Sequence, residues 1–358
     1  MSYADFLYIT DSQNISFCGE GVVDGQGYWW WMREYLLLNK GKRPHLLQMV
    51  RVQNGYFTGV KWQNSPSYHL LLNDVDTFVL ENFEVYVDVY EQRKLQEQFK
   101  NFSLHMGAVS LPTYPLNTDG IDPSGSNIII RNLTITSHDD AVAVKPMHQG
   151  GKLAKCAENI TVENVLVYFG VGMTIGTVPP HTLHNCIRNV TFRNITFKHP
   201  YKAVYVKSNP GKQGTGLIEN IVYDGLKVEN PLWWGIYIGT QQQKQPDGGG
   251  PGCMLYPLVR ECDTEARVTM RNITVKNVHM TGGIFPPGVI RCNATNPCTG
   301  FHFENVYVTG WFTPLSIGYI TENVVGTANY VWPDPGFNKT LSATSDEELA
   351  QIVAHMTS

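Results

Sequence analysis

Two short stretches hold residues whose types and spacing suit chemistry. The first is Asn117-Thr118-Asp119-Gly120-Ile121-Asp122-Pro123-Ser124-Gly125, and the second is Ser137-His138-Asp139-Asp140, which runs on to Lys145. Clustered carboxylates can cut a glycosidic bond. One protonated carboxyl donates to the leaving oxygen, and an ionised one activates water or attacks the sugar. Like charges in one place push their pKa values apart, which supplies an acid and a base at one pH. The same residue types also build Asp-rich turn ladders and calcium loops. Spacing alone leaves all three readings open.

A repeat decides how the two stretches can meet. Ala141–Lys145, Gly172–Gly176, Ala203–Lys207 and Gly235–Gly239 share one alternating pattern and recur about every thirty residues. A second series, Asn127, Asn159, Asn189 and Asn220, each followed by Ile or Val, runs in phase with it. Period-two alternation means strands with one buried face. Strands recurring at this period without helices between them mean one solenoid coil per repeat, and stacked coils share a core that no single coil can enclose. The expected fold is all-β, a right-handed parallel β-helix of about ten coils with few short helices. Asn at the bends tolerates left-handed backbone angles and can stack on Asn of the next coil. The expected division is one domain over residues 1–340 and a helical C-terminal tail over 341–358. In that tail Ser345 and Glu348 read as a capping box. Two further helical segments are expected, at residues 29–39 and, as a charged insertion, at 90–102.

The repeat also predicts the wall around the carboxylates. In the row of Asp140 it places Val171, Lys202 and Trp234. Three positions along come Ala143, Thr174, Tyr205 and Tyr237, and two further on Lys145, Gly176, Lys207 and Gly239. Lysines can hold sugar carboxylates, and aromatic faces can stack on sugar rings. Lys207, Lys202, Tyr205, Lys145 and Tyr237 are therefore expected substrate-binding residues. So is His138, beside the acidic pair, although a turn hydrogen bond would explain it equally. The bland reading for Trp233, Trp234 and Tyr237 is packing beneath the 241–262 loop.

These residues resemble the polygalacturonase group of glycoside hydrolases, family 28, whose members carry Asn-Thr-Asp-Gly and, one coil later, Asp-Asp. Here those are Asn117–Gly120 and Asp139-Asp140. The stretch from Ile15 to Gly27 and the Cys292–Cys298 loop are similar too, and the likeness runs over roughly residues 8 to 312. The resemblance implies a parallel β-helix, a pectin-like galacturonan or rhamnogalacturonan substrate, an inverting mechanism, and neither metal nor cofactor. It implies Asp139 as the acid, with Asp119 and Asp140 holding and activating the water. Two family signatures differ. Gly-His-Gly reads Gly170-Val171-Gly172, and Arg-Ile-Lys reads Tyr205-Val206-Lys207, which removes a bidentate carboxylate clamp. A sugar-binding protein without turnover, or a lyase, are the rival readings.

Composition narrows the surroundings. The 358 residues are 42% hydrophobic and 16% charged, with net charge -4. That gives no basic footprint for nucleic acid, and no apolar run is long enough to span a membrane. The Cys253/Cys262 and Cys292/Cys298 pairs lie in short loops and read as local disulfides, hence an oxidising, extracellular setting. Nine Asn-x-Ser/Thr sequons point the same way: Asn14, Asn101, Asn132, Asn159, Asn189, Asn194, Asn272, Asn293 and Asn338. Met1–Gln13 shows no secretory leader, so a processed or truncated chain is expected. A monomer acting on a uronic-acid polysaccharide is the expected state.

Overall fold

A computed structural model describes residues 5–35, 38, 41–90, 115–147, 151–153, 155–183, 185–211, 213–242, 253, 255–259, 262–312 and 318–338. Ten strands pair in parallel, each with the next coil's copy: β1 (Leu7–Cys18), β3 (Leu47–Thr58), β5 (Leu70–Glu81), β7 (Ile121–Ser137), β9 (Ala157–Phe169), β11 (Asn185–Lys198), β13 (Gly216–Glu229), β15 (Val268–Thr281), β17 (Cys298–Thr309) and β19 (Val324–Trp332). This is the expected parallel β-helix, with ten coils in the long ladder.

A second wall is built from shorter strands. It starts with β2 (Val22–Asp24), β4 (Lys61–Gln63) and β6 (Glu84–Tyr86), and β6 pairs with the far end of β7. Another short ladder leaves Ile121 of β7 and runs through β8 (Val142–Val144), β10 (Met173–Val178), β12 (Val204–Ser208), β14 (Ile236–Gln241), β16 (Gly288–Arg291) and β18 (Ile320–Glu322). The two walls differ as their surroundings require. β9 alternates buried and exposed along its length, as a strand with one wet face must. β8 and β14 are buried at every position. Their outward faces lie under loops and under the site described below.

Stacked coils put like on like. Phe192 and Tyr223 stack at 4.8 Å inside the core. At the bends, Asn127, Asn159, Asn189, Asn220 and Asn272 all adopt φ between 55° and 58°. Each donates from Nδ2 to Oδ1 of the Asn one coil before, from Asn159 to Asn272, at 3.1–3.4 Å. Six of the sequon residues, Asn14, Asn132, Asn159, Asn189, Asn194 and Asn272, are members of such ladders.

The helix expected at 29–39 is α1, Tyr28–Tyr35. Its Trp31 is buried and donates Nε1–H to the Ser65 carbonyl at 3.1 Å, so that aromatic is packing. Both local disulfides form, Cys253–Cys262 and Cys292–Cys298. A third, Cys156–Cys186, joins adjacent coils. Their 30-residue separation is one repeat period, a signal that pairing by short loops overlooked. The 341–358 tail, nearly all of the 90–102 insertion and the sequon at Asn101 lie outside the described residues. No helix among the described residues is long and apolar enough to cross a membrane.

Candidate active site

The carboxylates gather where β7 begins and where the chain turns from β7 into β8. Gly120 N–H donates to the Asp140 carbonyl and Ile121 N–H to the Ala141 carbonyl. Asp119 is therefore the register neighbour of Asp140, one coil away. A Cβ on Gly120 would stand 2.4 Å from the Ala141 carbonyl oxygen, so only glycine lets these two coils approach. Asp139 and Asp140 would point to opposite faces of a regular strand. They lie in the turn before β8 instead, and one oxygen each of Asp119, Asp139 and Asp140 lies within 4.8 Å of the others.

Each carboxylate has a different environment. Half-buried Asp139 accepts backbone N–H bonds from Asn117 and Asp140, both 2.9 Å. Burial and the neighbouring Asp140 still raise its pKa. Asp140 is buried, which alone would raise it. Lys207 at 2.8 Å, Lys145 at 3.8 Å and the Thr174 hydroxyl at 2.6 Å outweigh that and hold it below the usual carboxylate range. Asp119 is buried with one oxygen lacking a hydrogen-bond partner among the described residues. Burial, then Asp122, Asp139 and Asp140, push its pKa well up. Asp122 is fully buried, its two oxygens make no hydrogen bond among the described residues, and Lys145 lies 3.7 Å away. Burial raises it to about 7.

The supporting groups come from far along the chain. Arg43 donates to the Pro66 and Leu116 carbonyls and to Asn117 Oδ1, fixing the residue whose N–H meets Asp139. The Ser65 N–H donates to Nε2 of His69 at 3.2 Å. Nδ1 therefore carries the ring proton and donates to the Asp119 carbonyl at 2.9 Å. Sequence reasoning named neither Arg43 nor His69 and gave Asp122 no role, although Asp122 sits inside the motif. Thr174 was placed in its row but given no role.

Several expected sugar-binding residues have other partners. Lys207 is 2% exposed and is the counter-ion of Asp140 rather than an open grip. Lys145, only part-exposed, bridges Asp122 and Asp140. Tyr237 is buried, and its hydroxyl donates to the Cys253 and Tyr256 carbonyls at 2.7 and 3.0 Å. It is a wall beneath the disulfide-closed loop, and so is Trp234, stacked on Phe285 at 4.2 Å. His138 is buried, stacks on Phe169 at 5.6 Å, and its N–H meets the Thr118 hydroxyl. Burial lowers its pKa to about 4, so near neutrality it brings no charge to the acidic pair. Tyr205 is buried with its ring against Lys202 and Lys207. The predicted row of Ala143, Thr174, Tyr205 and Tyr237 is in register. What the repeat did not convey is which members are covered.

Fold and site together are a parallel β-helix with four carboxylates at the mouth of its short ladder. Residues 4–326 match the profile of the glycosyl hydrolases family 28, and the chain is a member of that family. An exopolygalacturonase of Cochliobolus carbonum is 25% identical over 83% of this chain and 60% of its own length. A polygalacturonase of Juniperus ashei is 23% identical over 92% of this chain and 55% of its own. The chain thus spans well under two thirds of these relatives. Among solved structures, the Thermotoga maritima exopolygalacturonase superposes with a TM-score of 0.60 at 18% identity, covering 92% of this chain and 72% of that one. Endopolygalacturonase I of Stereum purpureum, solved with two galacturonates, gives 0.56 at 19%, covering 92% and 90%. These two likenesses speak to the fold.

Proposed function

We propose that this protein hydrolyses the glycosidic bonds of an acidic, pectin-like polysaccharide, a galacturonan or rhamnogalacturonan. The observation that carries the reading is the split within one cluster: Asp139 is held towards its protonated form while Asp140, beside it, is held ionised by Lys207. Asp139 gives its proton to the glycosidic oxygen as the bond to the anomeric carbon breaks. Water attacks that carbon from the other face and passes its proton to Asp140, with Asp119 orienting the water. The products are two shorter chains, and no cofactor takes part.

Attack by water is favoured over attack by a carboxylate. Asp140 is the one member held ionised, by Lys207 and the Thr174 hydroxyl, which suits it to take a proton from water. Inversion is the stereochemistry the family likeness implies. The closest oxygens, within 4.8 Å, are nearer than the roughly 6.5–9.5 Å usual for inverting pairs and resemble the roughly 5–5.5 Å of retaining ones. Proton NMR of the first-formed anomer settles the point, and a retained anomer overturns this mechanism.

The disulfides support an extracellular setting; a monomer, with residues 1–340 as the solenoid domain and 341–358 as its tail, is the organisation this reading takes. The test of function is a reducing-end assay of wild type and Asp139→Asn on polygalacturonate, rhamnogalacturonan and neutral glycans. Activity on one acidic polymer, lost in the variant, is expected. A product absorbing in the ultraviolet would mark a lyase instead. The second reading is a sugar-binding protein without turnover, favoured by Val171 and Tyr205 at positions where the family pattern has His and Arg. Binding with no cleavage by wild type would establish it.

A further inference from the structure

One cation beside the carboxylates, Lys202, has no ion-pair partner among the described residues. Lys207 meets Asp140 and Lys145 bridges Asp122 and Asp140. Lys202, only 7% exposed, makes neither an ion pair nor a hydrogen bond with any described residue. Its ammonium sits between two aromatic faces, 3.9 Å from the Tyr205 ring centre and 4.3 Å from that of Tyr237. The rings stand nearly perpendicular at 5.9 Å. Tyr237 is pinned by its hydroxyl to the Cys253 and Tyr256 carbonyls, in a loop closed by Cys253–Cys262.

Cation–π contact offsets only part of what a largely buried ammonium loses in hydration, and the two rings offer it no hydrogen-bond acceptor. An arriving carboxylate would, through charge-assisted hydrogen bonds. The position fits a polymer substrate. Counting back two residues from the paired Val142, Met173 and Val204 puts Asp140, Val171 and Lys202 in one row. Lys202 then lies two coils from Asp140, roughly 9–10 Å at the spacing of parallel strands. The intervening residue, Val171, carries no charge to compete. Gly172 keeps this row close, because a Cβ there would meet the Lys202 carbonyl oxygen at 2.3 Å.

We propose that Lys202, in its Tyr205–Tyr237 box, is the specificity-determining cation of the cleft and takes the carboxylate of a uronate unit two coils from Asp140. The proposal deepens the reading of the site as a uronan hydrolase and rests on it for the substrate class. The groups facing Lys202 are Lys207 and Tyr205 on β12, Tyr237 on β14, and Asp139 and Asp140 before β8. Burial first, then repulsion from Lys207, lowers its pKa to about 7. Affinity for an acidic sugar therefore declines as pH rises past 7, when the lysine loses its charge.

The test uses the full-length Asp139→Asn protein, in which no turnover interferes, and isothermal calorimetry with trigalacturonate and its methyl ester. Adding Lys202→Met is expected to weaken trigalacturonate at pH 6 at least tenfold and to leave the ester unchanged. Lys202→Arg should stay within about threefold and, unlike the parent, keep its affinity at pH 8. Three results would overturn the proposal: undiminished acid binding by Lys202→Met, equal weakening of acid and ester, or no trigalacturonate binding by Asp139→Asn itself. Failure of the hydrolase reading looks different. There, wild type cleaves nothing while the Lys202 effect on binding persists.

Discussion

The solenoid carries two arrays of stacked charges, one on the outer face of the long ladder and one at the mouth of the short ladder. On the outside the signs alternate from coil to coil. One column runs Glu158, Arg188, Glu219, Arg271 and another Arg131, Glu163, Arg193, Asp224, Lys276, Glu304. Each side chain has an opposite neighbour above or below, and water screens the rest. At the site the stacking is of like on like, with Asp119 beside Asp140 and Asp122 just behind them. The carboxylates are largely buried, and the lysines are too few to pair every carboxylate closely. The same Asp or Glu chemistry thus gives ordinary exposed ion pairs on one face and divergent protonation states on the other. At the site, repetition and burial drive the carboxylates apart in pKa.

The comparison breaks most visibly if the acid is removed. Asp139→Asn is expected to lower turnover of the acidic polymer by about 10²–10⁴-fold, the range a positioned general acid contributes, with the fold unchanged by circular dichroism. Next is the counter-ion. Lys207→Met leaves Asp140 buried without its close partner, which typically costs about 3–5 kcal/mol, read by urea unfolding. It also raises the pKa of Asp140, so the acidic limb of the pH–rate profile moves upward.

A finer test concerns Asp122. Its carboxyl titrates near 3.8 when unfolded and at about 7 when folded. Between those values the folded state holds the extra proton, so this group's contribution makes stability fall as pH rises from about 4 to 7 and level off above. Asp122→Asn should remove that slope in denaturation measured at pH 4, 5.5 and 7. The smallest effect is expected on the outside. Arg193→Ala breaks an exposed pair with Glu163 and should change unfolding free energy by no more than about 0.5 kcal/mol, still less in high salt. A large outer effect would erase the contrast drawn between the two arrays.

The rows were legible because a parallel solenoid converts sequence period directly into spatial neighbourhood. Thr174 with Tyr205 follows from counting, whereas the twenty-residue spacing put Asp119 beside Asp139 and the structure sets it one position further on, in register with Asp140. Lys207 shows the limit. Its row was right, but a grip on substrate and a bond to an aspartate 67 residues earlier read identically in sequence. The surroundings of His138 and Tyr237 were illegible for a related reason, since what covers a residue lies in loops outside the repeat. Arg43 gave no signal, because its partner Asn117 is 74 residues away and belongs to no common pattern.

Alternation, the thirty-residue period and the bend asparagines by themselves pointed to a parallel β-helix of about ten coils, and the residue types of two short stretches named the candidate carboxylates. Each is a local or periodic property, and backbone pairing propagates it without further information. Tertiary structure alone decided which carboxylate is paired, which is bare and which lysine is left without an anion. Those outcomes depend on burial and on contacts between residues far apart in the chain, and neither is written in any short stretch of sequence.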